Sequence, residues 1–232
     1  MTIKSISFDL DDTFWPVMPT ILKAEEITNQ WIKKNYPGTA KLLGSKDVIE
    51  VRDLLIKKNP NLLNQISDLR KGMFFELSLR AGYSNDESTK MANQSFEIFY
   101  RARNDVVFYD DVIRTLNELQ KEYSLGVITN GNADLKIIGI DHLFDFCFSA
   151  ADLNAHKPDP IVFEAVINAT GLNPEEICHV GDHPINDVKG SHDCGMRPVW
   201  FNEKRTEWPL PGLSIPEFSE WKNFKILLEK NF

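Results

Sequence analysis

The sequence predicts an α/β fold: a doubly wound, mainly parallel sheet with an α-helical unit inserted after its first strand. Three observations predict it. From residue 105 onward, short apolar runs alternate with helical patterns, the order that builds parallel βαβ units. One isolated apolar run, ISFDL at 6–10, opens the chain far ahead of the others. Between them, residues 18–104 hold no convincing strand and read as amphipathic helices. A chain of 232 residues is long for one compact domain, which suits a core, residues 1–15 and 105–232, carrying a helical insertion at 16–104.

Each element follows in order. After the first strand, the insertion breaks near Tyr36-Pro37-Gly38, Asn59-Pro60-Asn61 and the stretch from Ala81 to Asn85, where turn-forming residues cluster. Its aromatics Phe74, Phe75, Phe96, Phe99 and Tyr100 recur at helical spacing, the pattern of an internal core rather than of a substrate pocket. The later strands are SLGVIT (124–129), FDFCFS (144–149), EICHVG (176–181) and MRPVWFN (196–202). With the first they make about five parallel strands, and their near-continuous Val, Ile and Phe content fits burial on both faces. Helices are expected over 110–122, 160–170 and 185–194, with residues 173–176 as a tight turn or short helix. The tail reads as an irregular crossing segment, TEWPLPGLSIPEF, and a closing helix within SEWKNFKILLEK.

Composition narrows the function classes. Acidic residues outnumber basic ones, 34 against 26, and no Lys/Arg block occurs, so the electrostatic grip on nucleic acid or anionic lipid is missing. The longest apolar runs are strand-sized, short of the roughly 20 residues a membrane helix needs. The first residues lack the layout of a signal peptide, which predicts a cytoplasmic protein. Cys147, Cys178 and Cys194 sit among apolar residues and are expected to be buried free thiols of a reducing compartment. A monomer acting on a small molecule is the expectation.

Chemistry concentrates where strands end. Side chains alternate faces along a strand, so Asp9 and Asp11 point the same way while Leu10 and Asp12 point the other. At the carboxyl end of a parallel strand that pair lies in the crevice where open α/β sheets bind ligands. Adjacent carboxylates repel unless a cation sits between them, and an oxygen-rich site of this kind suits Mg²⁺. VITNGNA ends its strand with Thr129, a hydroxyl donor, and offers the amides of Asn130 and Gly131 to an oxyanion. NAHKPDP brings Lys157 just ahead of a helix, and HVGDHPINDV ends its strand with Asp182 and adds Asp187. Taken singly these residues are unremarkable; in this order, each at a strand's end, they make one constellation.

DLDDT at 9–13, ITNGN at 128–132, HKPDP at 156–160 and GDHPIND at 181–187 resemble the four motifs of the haloacid dehalogenase superfamily. The resemblance covers the whole Rossmann-like core, and the placement of the insertion is similar to the C1-cap subclass. ITNGNA, ICHVGDH, GMRPVWFN and SIPEFSEW look similar to a bacterial group of these phosphatases that acts on FMN and a phosphorylated ribitylaminouracil. The resemblance implies a Mg²⁺-dependent phosphomonoester hydrolase with Asp9 as nucleophile and Asp11 as general acid and base. It implies that the metal is held by the Asp9 carboxylate, the Asp11 backbone carbonyl and the Asp182 carboxylate, with Asp187 direct or supporting. It further implies that Thr129, Lys157 and the amides near residues 10, 11 and 130 hold the phosphoryl oxygens. Thr13 would orient the motif loop, and Asp12 would be structural. Phe14 in place of the commoner Leu, and Ser149-Ala150-Ala151-Asp152 without the Glu often found there, depart from the pattern at positions that bear on substrate contacts.

Phe14, Trp15 and Pro16 suit either a stiff apolar flap that excludes water or a plug in a hinge. Three other functions compete. Haloacid dehalogenation is disfavoured by Asp11, because the dehalogenating members carry no carboxylate there. A phospho-accepting receiver domain shares the Asp, Thr, Lys and acidic residues but has no use for a large insertion. A catalytically silent binding module is disfavoured by the intact Asp9, Asp11, Lys157 and Asp182. Sugar phosphates, nucleoside monophosphates and flavin-related phosphates all remain open as substrates.

Overall fold

The structure is a computed structural model that describes residues 2–232. The chain forms two compact units: the segment ending at Pro16 together with Val107–Phe232, and Val17–Val106.

The first unit is built on a parallel six-stranded sheet. Its strands are β1 (Ser5–Phe8), β2 (Ser124–Thr129), β3 (Phe146–Ser149), β4 (Ile177–Gly181), β5 (Arg197–Phe201) and β6 (Glu217–Phe218), in the order β3-β2-β1-β4-β5-β6. From β1 the chain winds to one side through β2 and β3, then returns to the other side through β4 and β5. The switch point of the winding therefore lies at β1, and its carboxyl-end crevice is flanked by β2 and β4. Apolar layers cover both faces, as a buried parallel sheet demands. On one, Phe8, Phe14, Phe144, Trp221 and Phe224 interlock, with ring centroids 5.3–6.5 Å apart. On the other, Ile128, Ile177 and Met196 meet Val162, Phe163 and Val166 of the helix Pro160–Thr170.

The structure departs from the sequence expectation at five places. β6 adds a sixth strand inside the expected crossing segment, held by the Trp200 N–H to the Pro216 carbonyl at 2.9 Å and the Asn202 N–H to the Phe218 carbonyl at 2.8 Å. Two residues beside a proline are too few to show an alternation. β1 stops at Phe8, because the Leu10 carbonyl already accepts the N–H groups of Thr13 (3.1 Å) and Phe14 (2.8 Å) in a tight turn. The helix expected over 110–122 spans Val112–Leu119, preceded by Asp111 in the left-handed region at φ 64°. The helix expected over 185–194 starts as a π-helical turn, Pro184–Lys189, and becomes α only over Gly190–Asp193. Of the cysteines, Cys178 is buried, Cys194 half-buried and Cys147 exposed, the last because β3 is an edge strand with an open side. All three are free thiols.

The second unit contains four long helices, Val17–Asn35, Lys46–Lys58, Ile66–Arg80 and Asn85–Arg103. Their ends coincide with the turn-rich breaks of the sequence. Ser45 caps the second through the Asp47 N–H, and Ser84 forms a capping box with Glu87 at the start of the fourth. Ile32, Phe74, Met91 and Ala92 form the core, with Phe75 packed against it; Phe96 and Phe99 are buried as well. The Arg70 guanidinium lies 3.7 Å from the Phe99 ring centroid, and Tyr100 stacks on Phe96. No helix among the described residues is long and apolar enough to cross a membrane.

Candidate active site

The crevice at the switch point is organised around Asp9. Its N–H still reaches the Val180 carbonyl at 2.9 Å, so the residue is pinned to β4 although the β1 ladder has ended. Asp9 is only 7% exposed. The Thr13 hydroxyl donates to Asp9 Oδ2 at 3.2 Å, and the Lys157 ammonium donates to Asp9 Oδ1 at 2.6 Å. Because the chain turns at Leu10, the turn and not strand alternation sets the direction of Asp11. Asp11 Oδ1 accepts from the Trp15 indole N–H at 2.9 Å. Asp12, at φ 59°, donates its N–H to the Trp15 carbonyl at 2.8 Å and so closes the loop. Phe14 and Trp15 are fully buried, Phe14 within the aromatic layer and Trp15 edge-on to Phe14 and Phe108, so neither stands out as a surface flap.

Lys157 is 1% exposed and uses all three of its donors: Asp9 Oδ1, Asp187 Oδ1 at 2.6 Å and the Ile128 carbonyl at 2.9 Å. Its backbone is clamped from β2. The Asn130 side chain donates to the Lys157 carbonyl at 3.0 Å and accepts from the Lys157 N–H at 2.7 Å. Thr129, buried at the end of β2, accepts the Gly131 N–H at 2.9 Å, which orders the amides that follow.

The π-turn turns Asp187 inward. Its Oδ2 accepts the His183 N–H at 3.0 Å, and its Oδ1 also lies 3.4 Å from His179 Nε2. His179 Nδ1 in turn meets the Ser7 hydroxyl at 2.9 Å across the β1–β4 pair. The Asp187 carboxyl occupies the space a side chain at Gly181 would fill: a Cβ there would lie 2.3 Å from Asp187 Cγ. Asp182, beyond the end of β4, is fixed through its carbonyl, which accepts the Trp200 indole N–H at 2.7 Å. Asp9, Asp182 and Asp187 each present an oxygen within 4.8 Å of the others.

The charges strain against one another. Burial, with repulsion from Asp187 and Asp11, outweighs Lys157 and pushes Asp9 up to about 7. Burial and the neighbouring Asp9 and Asp187 push Asp182 up to about 8. Burial also acts against the Asp187 charge, but Lys157 and His179 outweigh it and hold that carboxyl well below the usual range. The ammonium of Lys157 is lowered by burial yet raised more by its two carboxylates, so it stays charged; burial favours a neutral His179. Three converging carboxylates with one ammonium leave excess negative charge in a desolvated place. An all-oxygen donor set in that condition fits a hard divalent cation.

The structure thus brings Asp9, Thr13, Thr129, Asn130, Lys157, Asp182 and Asp187 together, while the Asp11 carboxylate lies outside the acidic trio and pairs with Trp15. The reading of the sequence missed His179, Ser7 and Gly181. A histidine inside the apolar run ICHVG was the available signal, since a polar side chain on a central strand must find partners.

A family model for haloacid dehalogenase-like hydrolases matches residues 6–201. The chain belongs to this family. Within these hydrolases it is 27% identical over 199 residues to the 5-amino-6-(5-phospho-D-ribitylamino)uracil phosphatase of Escherichia coli, covering 86% of this chain and 83% of that protein. It is 32% identical over 160 residues to the phosphoserine phosphatase of Thermus thermophilus, covering 65% and 63%. A crystal structure titled 2-haloacid dehalogenase from Pseudomonas syringae superposes with a TM-score of 0.94 at 34% identity, covering 99% of both chains. That superposition spans the Rossmann-like sheet and the helical unit alike.

Proposed function

We propose that this hydrolase is a Mg²⁺-dependent phosphatase that removes the phosphate of a small phosphorylated metabolite through a phosphoryl-Asp9 intermediate. The observation that carries the reading is the buried Asp9 carboxylate, 2.6 Å from Lys157 and grouped with Asp182 and Asp187 at the sheet's switch point. The Asp9 and Asp182 carboxylates with the Asp11 backbone carbonyl would hold the cation, and Asp187 lies within reach of it. Bound there, Mg²⁺ supplies the positive charge that lets an anionic nucleophile approach an anionic ester.

The chain's own residues do the rest. Lys157 neutralises Asp9 and keeps its carboxylate oriented, and Thr13 holds the other oxygen. The Thr129 hydroxyl, held by the Gly131 N–H, and the amide of Asn130 stabilise charge spread over the phosphoryl oxygens. Asp11 protonates the leaving oxygen and then takes a proton from the water that hydrolyses the intermediate. The helical unit, whose junctions follow the carboxylate loop and precede Val107, would serve as a substrate-selecting cap. Relatives with phosphatase names support the activity, and the Escherichia coli relative supports flavin-related phosphates as the first substrate class to assay.

The test is repeated, Mg²⁺-dependent release of inorganic phosphate from a generic phosphomonoester, abolished by EDTA and by Asp9→Asn. Stoichiometric labelling without turnover would favour a receiver, and inertness a binding module. The similarity to the Pseudomonas syringae 2-haloacid dehalogenase favours one second reading. Halide release from a 2-haloacid, unaffected by EDTA, would establish it in place of phosphate chemistry.

A further inference from the structure

Trp15 is fully buried, and its indole N–H donates to Asp11 Oδ1 at 2.9 Å. The ring is wedged edge-on against Phe14 and Phe108, with centroids 6.2 and 5.5 Å away, and its carbonyl accepts the Asp12 N–H at 2.8 Å. It is therefore held by packing against both rings and by the backbone bridge between Asp11 and Trp15, as well as by its side-chain hydrogen bond. An indole nitrogen can only donate. The buried donor is satisfied only while Oδ1 stays turned toward Trp15.

We propose that Trp15 is a positioning residue that fixes the rotamer of the Asp11 carboxyl. The proposal rests on the phosphatase reading. In the first step a bond forms from an Asp9 oxygen to phosphorus while the bond from phosphorus to the leaving oxygen breaks. The electron pair of the broken bond stays on the leaving oxygen, which takes the Asp11 proton and departs as a neutral alcohol; Asp11 is left as a carboxylate. In the second step a water oxygen bonds to phosphorus and gives one of its protons to the Asp11 carboxylate. The bond to Asp9 breaks, and its electron pair returns to the Asp9 carboxylate. A rotating Asp11 would offer its proton along a less useful direction, and proton transfer depends on hydrogen-bond geometry.

The structural alternative is that a buried indole simply needs an acceptor. Leaving-group dependence separates the two, because p-nitrophenolate departs without a proton and an alkoxide does not. The comparison is Trp15→Phe, which keeps an aromatic ring but removes the donor, against Phe108→Leu, which loosens the same packing and leaves the donor. With Mg²⁺ and kcat/KM as the readout, which covers steps only through loss of the alcohol, Trp15→Phe is expected to lower hydrolysis of an alkyl phosphate such as glycerol phosphate by about tenfold or more, since general acid catalysis is worth about 10²–10⁴. On p-nitrophenyl phosphate it should stay within about threefold, the acid having little to contribute there. Phe108→Leu should change both esters by the same factor. Equal losses on both esters in Trp15→Phe, or no loss on either, would overturn the positioning role while the phosphatase reading stood. Failure of the unmodified protein to hydrolyse either ester would bring down both.

Discussion

Replacing Lys157 with methionine removes a charge while keeping much of the side chain's length, and the structure fixes what this should cost. The ammonium is 1% exposed and lies 2.6 Å from one oxygen each of Asp9 and Asp187. Removing one member of a buried ion pair costs about 3–5 kcal/mol, because the remaining charge is left desolvated and unpaired. Here two carboxylates lose their partner at once, although Asp9, pushed up to about 7, can escape by taking a proton. Losing Lys157 raises Asp9 further, so the loss is expected to be larger at pH 8 than at pH 6. For a chain of this size, 3–5 kcal/mol corresponds to a Tm lowered by about 6–20 °C. Urea unfolding in EDTA, followed by tryptophan fluorescence, reads the correct unit, since Trp15, Trp200, Trp208 and Trp221 all lie in it. Adding Mg²⁺ at about a hundred times its Kd should return about 2.7 kcal/mol by preferential binding to the folded state. A loss below about 1 kcal/mol in EDTA at pH 8 would refute the charge balance described for this site.

Other consequences follow from the same geometry. Asp9→Asn should reduce phosphate release by at least about 10³-fold while leaving the urea midpoint unchanged or raised, since it removes a buried, repelled charge but keeps the shape. Gly181→Ala places a Cβ 2.3 Å from Asp187 Cγ, so the carboxyl must leave Lys157. Overpacking predicts a loss of about 1–3 kcal/mol, with activity falling alongside it, measurable by urea titration and phosphate assay on one preparation. In EDTA, Asp9 and Asp182 have folded-state values, about 7 and about 8, above the ordinary aspartate value of 3.8, so the folded state binds more protons between these limits. Their contribution is fully present below pH 4 and is lost as pH rises toward 8. Urea midpoints that climb from pH 5 to pH 8 without metal would contradict this sign.

What the sequence showed and what it hid divide along physical lines. Strands such as SLGVIT carry their signal in their own residues, because burial on both faces demands continuous apolar side chains; the helix breaks at Asn35, Lys58 and Arg80 are marked by local turn residues in the same way. Asp9, Thr129 and Asp182 were legible because each follows or ends a strand, and the winding order brings such ends together; Lys157, separated from β3 by the helical turn Ala150–Leu153, was legible from its place just ahead of the helix Pro160–Thr170. The π-turn was not legible, since Pro184–Lys189 reads as ordinary helix and only the pull of Lys157 and the His183 N–H on Asp187 distinguishes it. Nor was the direction of Asp11, which alternation along a longer strand would have set, but which the turn at Leu10 sets instead. The exposure of Cys147 depends on which strand stands at the edge, a property of the whole sheet.

The loop from Asp9 to Trp15 shows why so acidic a segment can be held still. Asp9 N–H is bonded to β4, Thr13 and Phe14 N–H to the Leu10 carbonyl, and Asp12 N–H to the Trp15 carbonyl. The Thr13 carbonyl accepts the Trp221 indole N–H at 3.1 Å, and the Phe14 carbonyl accepts the Tyr109 N–H at 2.9 Å. Trp221 arrives from the far end of the chain, where it sits in the aromatic layer with Phe8 and Phe14. Mutual repulsion among Asp9, Asp11 and Asp12 would favour spreading this loop, and those anchors oppose it from the neighbouring strand, from within the turn and from the C-terminal segment. Preorganised groups need no rearrangement when charge develops, which is where electrostatic catalysis gains most. The aromatic residues after Thr13 therefore act at the level of the loop's rigidity: Phe14 anchors it in the core, and Trp15 carries that anchorage to the Asp11 carboxylate, outside the acidic trio.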